Sequence, residues 1–362
     1  MNILGYFRRK LYIFYNIDTV RFSRKQFIHS ELCNNNYNRK KLSKNQKEEI
    51  KAFWSKYTQL NKDSWKWFEI YNYIKPTDEN IKYYIPDNIY YMYVDMHFSN
   101  LRESLILDDK NMYDLYFPEI KRPKTIVRKI GDVYLAHDYS KISKEEAITL
   151  CTNQKIIIIK VSKGSDGGHG ISFWNLDNGR EDLTKLLDKW SNLIVQEIVN
   201  QHHDISIIHK ESLNTIRIMS LYFNNKVHII SSVLRMGVDG ARLDNAHSGG
   251  IVAGILDDGR LREHAYNIRG KRFDKHPQGI SFNSIVVPSI KKCHEIVKSQ
   301  SLRFIGVSKL ISWDFAIDEL ANPVLIEVNL SYGGVDVHQM SNGPVFGEMT
   351  ADILDEVFKK GK

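Results

Sequence analysis

The chain has 362 residues, with 51 lysine or arginine residues against 43 aspartate or glutamate residues and a formal net charge of +8 at pH 7. Its three cysteines are widely spaced and form no Cys-x-x-Cys pair, which excludes a disulfide framework and a zinc-finger type of site and favours a reducing compartment. No apolar run approaches the ~20 residues that span a bilayer, and no signal peptide is recognisable, so a cytoplasmic protein is expected.

The positive charge is concentrated at the N-terminus. Residues 1–60 carry 13 lysine or arginine and four aspartate or glutamate residues, a net charge of +9, so the rest of the chain is nearly neutral. This distribution indicates a local basic surface and not a body that binds nucleic acid. Within residues 1–28, basic side chains alternate with aromatic and aliphatic ones. Two interpretations stay open for this segment: a helix packed on the rest of the protein, or a contact with an anionic membrane.

Residues 1–105 are predicted to form mainly helices and loops. Between Asn45 and Tyr57, the apolar residues Ile50, Phe53 and Trp54 recur at helical spacing within a charged sequence. Nothing here shows the alternating strands and helices of a nucleotide-binding α/β domain.

Strand-like runs follow, and one of them leads into a glycine-rich segment. The short runs are Ile126–Val127 and Val133–Ala136, and a helix is predicted to begin after Ser143. The apolar run 156–159 predicts a buried strand that continues into Lys160 and then into the glycines of 164–170. Glycine-rich loops bind phosphates because their bare N–H groups approach closely. The spacing is not that of a Walker loop, and a flexible connector is an equally good interpretation.

From residue 192 onward the prediction is dominated by strands. They are Leu193–Glu197, Thr215–Phe223, Val227–Val233 and a hairpin over 311–329. Two helices are predicted, over Pro288–Ser299 and Met349–Lys360. With the helical first hundred residues, this pattern is typical of an α+β fold with antiparallel sheet.

The hairpin carries three residues suited to a metal ion. Glu327 and Asn329 are two apart on a strand and share a face, and the turn at Asn322-Pro323 brings Asp314 opposite the Glu327 region. Carboxylates placed opposite each other repel, and a divalent cation would offset this repulsion. Two carboxylates and an amide oxygen suit Mg²⁺. Replacing either carboxylate is expected to abolish activity with the fold intact, and Glu327→Ala to relieve repulsion and stabilise the protein.

The charged candidates have other interpretations. The three hairpin residues fit an ordinary solvent-facing hairpin less well, because Glu327 interrupts the apolar run 324–328. Arg217 stands among strand-forming residues, where a buried arginine needs an anionic partner from the protein or a ligand. Arg235 fits a site and a surface equally well, and Lys110, taken alone, resembles a solvated surface charge. The histidines are not spaced as a metal cluster.

Five motifs occur in an order that resembles a known family. They are Asp109-Lys110, the Lys160 strand with its glycine loop, Val195-Gln196-Glu197-Ile198, Asn214-Thr215-Ile216-Arg217, and Asp314 with Glu327 and Asn329. Over about residues 85–355 the chain resembles ATP-grasp enzymes, and most closely the sugar-transfer-associated group. The resemblance implies two α+β subdomains with antiparallel sheets that clasp ATP. These would be a lid subdomain over 106–195 and a catalytic subdomain over 196–362, after a helical region over 1–105.

The resemblance also implies residue roles. Lys110 and Lys160 would contact the ATP phosphates, and the loop closing over them would use Gly164, Ser165, Gly167, Gly168 and Gly170. Gln196, Glu197 and Ile198 would contact the adenine, and Asp204 the ribose. Asp314, Glu327 and Asn329 would hold Mg²⁺, while Arg217 and Arg235 would be catalytic, facing the reacting phosphate and carboxylate.

The implied activity is ATP-dependent ligation of a carboxylate to an amine through an acylphosphate, with ADP as a product. The family context suggests a uronic acid as the carboxylate, an amino acid or amine as the partner, and surface polysaccharide (capsule) biosynthesis as the setting. Two alternatives stay open, a kinase of the same fold and a non-catalytic basic protein at a membrane. The expected location is the cytoplasm, with peripheral contact of residues 1–28 at the inner membrane face.

Overall fold

The structure is a computed structural model that describes residues 19–34, 36–75, 78–164, 170–242, 244 and 249–359. Its residues group into two units by their contacts. The first, the helical unit, comprises Met1–Ser99, Tyr266–Arg272 and Gly334–Lys362, and the second, the sheet unit, comprises Asn100–Ala265 and Phe273–Gly333. The helical unit thus contains residues from both ends of the sequence. The predicted subdomain bounds at 105 and 195 stay predictions.

The helical unit begins, within the described chain, with three helices. They are Thr19–Asn34, Lys44–Trp54 and Lys62–Ile74. A 3₁₀ turn and a run of short helical segments follow these helices. Two further helices of the unit come after the sheet unit in the sequence. In chain order, these segments and helices are Ile81–Tyr83, Asp87–Ile89, the π-helical Tyr90–Val94, Asp95–Phe98, Asp336–Asn342 and Thr350–Val357. The helix predicted over 45–57 begins one residue earlier because Ser43 and Gln46 form a capping box.

Aromatic side chains form the interior of the helical unit. Trp54, Trp67 and Phe68 are fully buried, and the rings of Tyr71 and Tyr84 stack with centroids 4.5 Å apart. Gln339 donates hydrogen bonds to the Tyr71 hydroxyl (2.7 Å) and the Ile85 carbonyl (2.9 Å), and this joins the C-terminal residues to the early helices. No described helix is both long and apolar enough to cross a membrane.

A five-stranded sheet forms the first part of the sheet unit. Its strands are β1 (Thr125–Ile130), β2 (Val133–Ala136), β3 (Ile156–Val161), β4 (Ile171–Asn175) and β5 (Leu193–Glu197). Their order is β2-β1-β5-β3-β4, and neighbours are antiparallel. The helices Lys144–Thr152 and Gly179–Asp188 bury Ala147, Ile148, Leu183 and Leu187 in the core of this sheet. Residue 195, the predicted end of the lid subdomain, lies inside β5.

The second sheet has seven strands. Its strands are β6 (Thr215–Phe223), β7 (Lys226–Met236), β8 (Ile251–Ile255), β9 (Leu261–Asn267), β10 (Arg272–Phe273), β11 (Leu310–Ile317) and β12 (Pro323–Asn329). Their order is β10-β9-β8-β7-β6-β11-β12. The helix Ile290–Ser301 buries Cys293 and Val297 in the core of this sheet. The other helical segments of the unit are short: Leu101–Leu107, Lys110–Met112, Tyr113–Tyr116, Leu176–Asn178, His203–Ser206, Phe282–Ser284 and Leu302–Phe304.

The predicted fold class is confirmed, since antiparallel sheets follow a helical N-terminal region. β5 and β6 begin and end at the predicted residues, and the predicted hairpin consists of β11 and β12. The helix predicted over 288–299 lies two residues later, at Ile290–Ser301, because Ser289 takes a left-handed conformation (φ 57°) just before it.

Candidate functional site

The hairpin places the two predicted carboxylates directly opposite each other. Asp314 on β11 pairs with Glu327 on β12, and Ser312 pairs with Asn329. On its other side, Asp314 pairs with Arg217 of β6. Residues that are directly opposite in an antiparallel pair project to the same face. Asp314, Glu327 and Arg217 therefore share one face of the seven-stranded sheet.

Asp314 is neutralised by arginines of the protein. Arg217 donates from Nε to Oδ1 (2.8 Å) and from Nη2 to Oδ2 (2.7 Å), and Arg235 donates from Nη2 to Oδ2 (3.1 Å). The Asp314 side chain is only 1% exposed. Burial by itself lowers the pKa of the Arg217 guanidinium, but the Asp314 carboxylate more than offsets burial and raises that pKa. The anionic partner that the sequence required for Arg217 is thus a residue of the protein.

Glu327 has a cationic partner of its own. Lys110, in the turn Lys110–Met112, lies with its Nζ 2.8 Å from Glu327 Oε1. The Lys110 side chain is only 10% exposed, so its interpretation as a solvated surface charge does not hold. Burial acts to lower the pKa of Lys110, while the Glu327 carboxylate acts in the opposite direction and leaves that pKa raised.

Lys160 joins this pair from the five-stranded sheet. It lies near the end of β3 and is buried. The pKa of Lys160 is lowered to about 8, chiefly by burial and also by the charge of Lys110, while Glu327 acts in the opposite direction. The Lys110 N–H donates to the carbonyl of Ser162 (2.9 Å), two residues beyond Lys160, so the two lysines lie in neighbouring segments and both interact with the Glu327 carboxylate. There they can neutralise an anionic ligand.

The segment that carries Lys110 is bonded to both sheets. The carbonyl of the neighbouring Asn111 accepts from Arg128 Nη1 (2.7 Å) and the Tyr139 hydroxyl (2.6 Å), both from the five-stranded sheet region. On the other side, the Tyr113 hydroxyl donates to the Val328 carbonyl (3.3 Å) and accepts from the Val328 N–H (3.2 Å). Val328 lies between Glu327 and Asn329 on the edge strand β12, so Tyr113 takes the place of a neighbouring strand there.

The glycine loop connects β3 to β4. Gly164 and Gly170 have φ angles of 59° and 78°. A Cβ on Gly170 would lie 2.6 Å from Val161 Cγ2, so no other residue fits this position without displacement. Beside the loop, Lys163 lies 3.3 Å from the Asp109 carboxylate. Ser165, Gly167 and Gly168 lie outside the described residues.

The predicted adenine and ribose residues have protein partners of their own. Gln196 in β5 is buried and donates to the Pro123 carbonyl (3.3 Å), Glu197 lies 3.0 Å from Lys124 Nζ, and Ile198 follows the strand. Asp204 is exposed in the short helix His203–Ser206, and its described contacts are with His202 and His203. The roles of these four residues stay predictions.

The chemistry of the hairpin fits a hard divalent cation. Asp314, Glu327 and Asn329 offer only oxygen ligands, the type that Mg²⁺ prefers. The Asn329 amide nitrogen is buried and has no hydrogen-bond partner among the described residues. No hydrogen bond of that nitrogen therefore fixes the orientation of the carboxamide. In the described part of the chain, no three His, Cys, Asp or Glu side chains gather as a metal site. The predicted set of Asp314, Glu327 and Asn329 is not such a group, because its third ligand is an amide.

Sequence reasoning missed three residues that build this site. Tyr113 holds β12, and Thr215 and Asp244 surround Arg235: the Thr215 hydroxyl accepts from Arg235 Nε (2.9 Å) and Nη2 (2.6 Å), and Asp244 lies 3.7 Å from Arg235 Nε. Thr215 stands inside the motif Asn214-Thr215-Ile216-Arg217, but nothing in that motif indicates that its side chain meets Asp244, which is 29 residues away.

Comparison with known proteins gave one family match. A family model described as sugar-transfer associated ATP-grasp matches residues 95–353. No curated protein matches the sequence.

Several solved structures are similar at low identity. D-alanyl-alanine synthetase A from Vibrio cholerae is 12% identical, with 70% of this chain and 64% of that chain covered and a TM-score of 0.41. An L-amino acid ligase from Bacillus licheniformis is 14% identical, with 70% and 48% covered and a TM-score of 0.38. D-alanine–D-alanine ligase from Bacillus anthracis is 14% identical, with 72% and 69% covered and a TM-score of 0.38. The chain thus spans less than two thirds of the synthetase and about half of the L-amino acid ligase.

Proposed function

This chain belongs to the sugar-transfer associated ATP-grasp family, and from that premise we propose that it is an ATP- and Mg²⁺-dependent ligase that joins a carboxylate to an amine. The observation that carries the proposal is the convergence of Lys110, Lys160 and Glu327 beside Asp314, which itself holds Arg217 and Arg235. Four cations gathered around Asp314 and Glu327 suit a polyanionic ligand that arrives with a metal ion.

The proposed reaction needs no protein nucleophile. A carboxylate oxygen of the substrate attacks the γ-phosphorus of ATP, and the bond from that phosphorus to the bridging oxygen breaks to release ADP. The amine then attacks the acyl carbon, loses a proton and expels phosphate, which leaves an amide. Lys110 and Lys160 neutralise the phosphates, the loop over 164–170 approaches them with backbone N–H groups, and Arg217 and Arg235 stabilise the charge that develops.

The remaining predicted residues complete this arrangement. Gln196, Glu197 and Ile198 would bind the adenine and Asp204 the ribose. Asp314, Glu327 and Asn329 would hold Mg²⁺, which neutralises charge on the phosphate oxygens when it is bound. The lid and catalytic subdomains would be 106–195 and 196–362.

For the substrates we propose a sugar acid, such as a uronic acid, and an amino acid or amine in surface polysaccharide biosynthesis. The family description, which associates this ATP-grasp group with sugar transfer, supports the sugar acid. The proposed reaction would take place in the cytoplasm.

The proposal is tested by a release assay. Purified protein with ATP and Mg²⁺ is screened for ADP and phosphate against pairs of uronic acids and amino acids, and hydroxylamine is added to trap the acylphosphate as a hydroxamate. Ligase activity requires ADP, phosphate and hydroxamate that all depend on the carboxylate. ADP with a phosphorylated hydroxyl product and no hydroxamate would instead establish a kinase, and no ADP with any pair would contradict the proposal.

Nucleotide binding should take up a proton through Lys160. Because its pKa in the folded protein is about 8, Lys160 is largely neutral above that pH, and bound phosphates favour its charged form. Binding should therefore weaken as pH rises above 8, with uptake of roughly three quarters of a proton at about pH 8.5. Since the folded pKa lies below the ordinary value of 10.5, stability should increase as pH rises from 8 to 10.5.

Calorimetry in buffers of different ionisation enthalpy measures this uptake. Lys160→Met should abolish it, whereas the matched control Lys155→Met, an exposed lysine just before β3, should not. Binding heats that are independent of the buffer in the wild type would contradict the assignment of Lys160 to the phosphates.

For the N-terminus we propose peripheral contact with an anionic membrane. In the helix Thr19–Asn34, Arg24, Ile28 and Leu32 are buried, while Phe22 and Phe27 are 63% and 62% exposed with the exposed Lys25 between them. Exposed aromatic rings beside basic residues suit a bilayer interface. Residues 1–18, which carry further basic and aromatic residues, lie outside the described residues.

Phe22→Ser with Phe27→Ser should remove most binding to phosphatidylserine vesicles at low salt, measured by co-sedimentation. Leu320→Ser is the control, since Leu320 is 74% exposed at the turn between β11 and β12. Equal binding to neutral vesicles, or no binding by the wild type, would contradict the membrane contact and support the interpretation of Thr19–Asn34 as a helix packed on the protein.

A further inference from the structure

The hydroxyl of Thr215 has every hydrogen-bonding position in use. Thr215 on β6 is directly opposite Arg235 on β7. Its oxygen accepts from Arg235 Nε (2.9 Å) and Nη2 (2.6 Å), and its proton goes to Asp244 Oδ2, to which the Thr215 N–H also donates (2.9 Å). A hydroxyl has one proton and two lone pairs, so its orientation is fixed by these three bonds.

This arrangement fixes the guanidinium of Arg235. Nε and Nη2 are bonded to Thr215, and Nη2 also donates to Asp314 Oδ2 (3.1 Å). The hydrogen bonds of Arg235 to described residues thus use Nε and Nη2, and Nη1 is the atom that can meet another partner. Because the plane is rigid, the two bonds to Thr215 determine where Nη1 points.

Asp244 supplies a second negative charge to this network, beside that of Asp314. It is 9% exposed and lies 3.7 Å from Arg235 Nε. Without its carboxylate, the Thr215 proton would have no fixed acceptor, and the hydroxyl could rotate that proton toward the guanidinium, which repels it. Asp244 therefore acts on Arg235 both directly, by charge, and through Thr215.

We propose that Thr215 and Asp244 are positioning residues that orient Arg235, so that its Nη1 edge meets the acidic groups of the reaction. This inference rests on the proposed function, in which Arg235 faces the reacting phosphate and carboxylate. Neither residue contacts the substrate in this proposal. Their contribution is to keep the guanidinium in the one orientation in which charge developing on the substrate is met without rearrangement.

The decisive variant is Thr215→Val, which keeps the shape of the side chain and removes the hydroxyl. We expect kcat for ADP release to fall about 100-fold, as a small misplacement of a reacting group can cost, with the KM for ATP little changed. Thr215→Ser should restore most of the rate, and Asp244→Asn should give an intermediate loss. Ser232→Ala is the matched control, because it removes a buried hydroxyl bond to His294 (2.9 Å) from the same strand as Arg235.

A second measurement does not depend on turnover. The Arg235 Nε–H resonance, assigned by its absence in Arg235→Lys, should exchange slowly with solvent in the wild type and in Thr215→Ser and rapidly in Thr215→Val. A Thr215→Val protein with wild-type kcat and a protected Nε–H would overturn the inference. If the wild type releases no ADP with any substrate pair, the proposed function fails, and the exchange of this one proton decides the orientation by itself.

Discussion

Asp314→Asn should lower the free energy of unfolding by about 3–5 kcal/mol, the usual cost of removing one partner of a buried ion pair, and should abolish ATP turnover. The Asp314 side chain is 1% exposed and accepts three hydrogen bonds from Arg217 and Arg235, so the substitution removes the hydrogen-bonded counter-charge of Arg217 and leaves Arg235 with Asp244 alone. The sequence alone predicts loss of activity with the fold intact. The structure changes that expectation, because the same carboxylate is both a proposed metal ligand and the centre of an ion-pair network.

Urea denaturation of Asp314→Asn, Arg217→Met and the double variant measures this effect. The double variant should be less destabilised than the sum of the single variants, since each single change leaves the other charge buried. A loss of less than about 1 kcal/mol in Asp314→Asn, the size expected for exposed pairs, would show that the network does not hold the sheet. Turnover of that variant at the wild-type rate would remove Asp314 from the site.

Glu327→Gln should reduce ATP turnover by about a thousandfold, because a metal ion contributes several kcal/mol to the transition state and each 1.36 kcal/mol is a factor of ten. The neutral side chain would weaken Mg²⁺ binding while still offering Lys110 an oxygen. The Mg²⁺ concentration for half-maximal rate should rise in parallel.

Glu327→Gln should also destabilise the protein modestly, in contrast to the relief of repulsion expected from the sequence. Lys110 is the partner of Glu327 at 2.8 Å, and the arginines already neutralise Asp314, so the two carboxylates have little mutual repulsion to relieve. Glu319→Gln, an exposed carboxylate at the turn of the same hairpin, is the control and should match the wild type in rate and stability. A Glu327→Gln protein that is more stable than the wild type would instead support the repulsion between Asp314 and Glu327 that the sequence predicts.

Local patterns in the sequence were sufficient for the strands and for the hairpin. β5 and β6 are apolar runs bounded by turn residues, and the turn at Asn322-Pro323 predicts Asp314 opposite Glu327, as found. Each of these predictions depends on residues that are close together in the chain, where period and turn chemistry determine the geometry.

The partners of the charged residues could not be predicted in this way. Arg217 and Asp314 are 97 residues apart and meet because β11 lies beside β6. Consecutive strands usually pair, as β6 and β7 do, but the position of β11 depends on how the whole core packs. The same limit applies to Tyr113 and Val328, which are 215 residues apart. The sequence predicts that Arg217 needs an anionic partner. Only the order of the strands in the sheet identifies that partner as Asp314.

The phenol of Tyr113 also bears on how this protein can associate with other chains. An edge strand with unpaired N–H and C=O groups can recruit a strand from another molecule. On β12 both groups of Val328 are bonded to Tyr113, and the Leu325 N–H donates to the Lys121 carbonyl (2.8 Å). The edge next to Glu327 and Asn329 is thus closed to strand addition at these positions. A second copy, or a peptide in extended conformation, would have to displace these bonds before it could extend the sheet there.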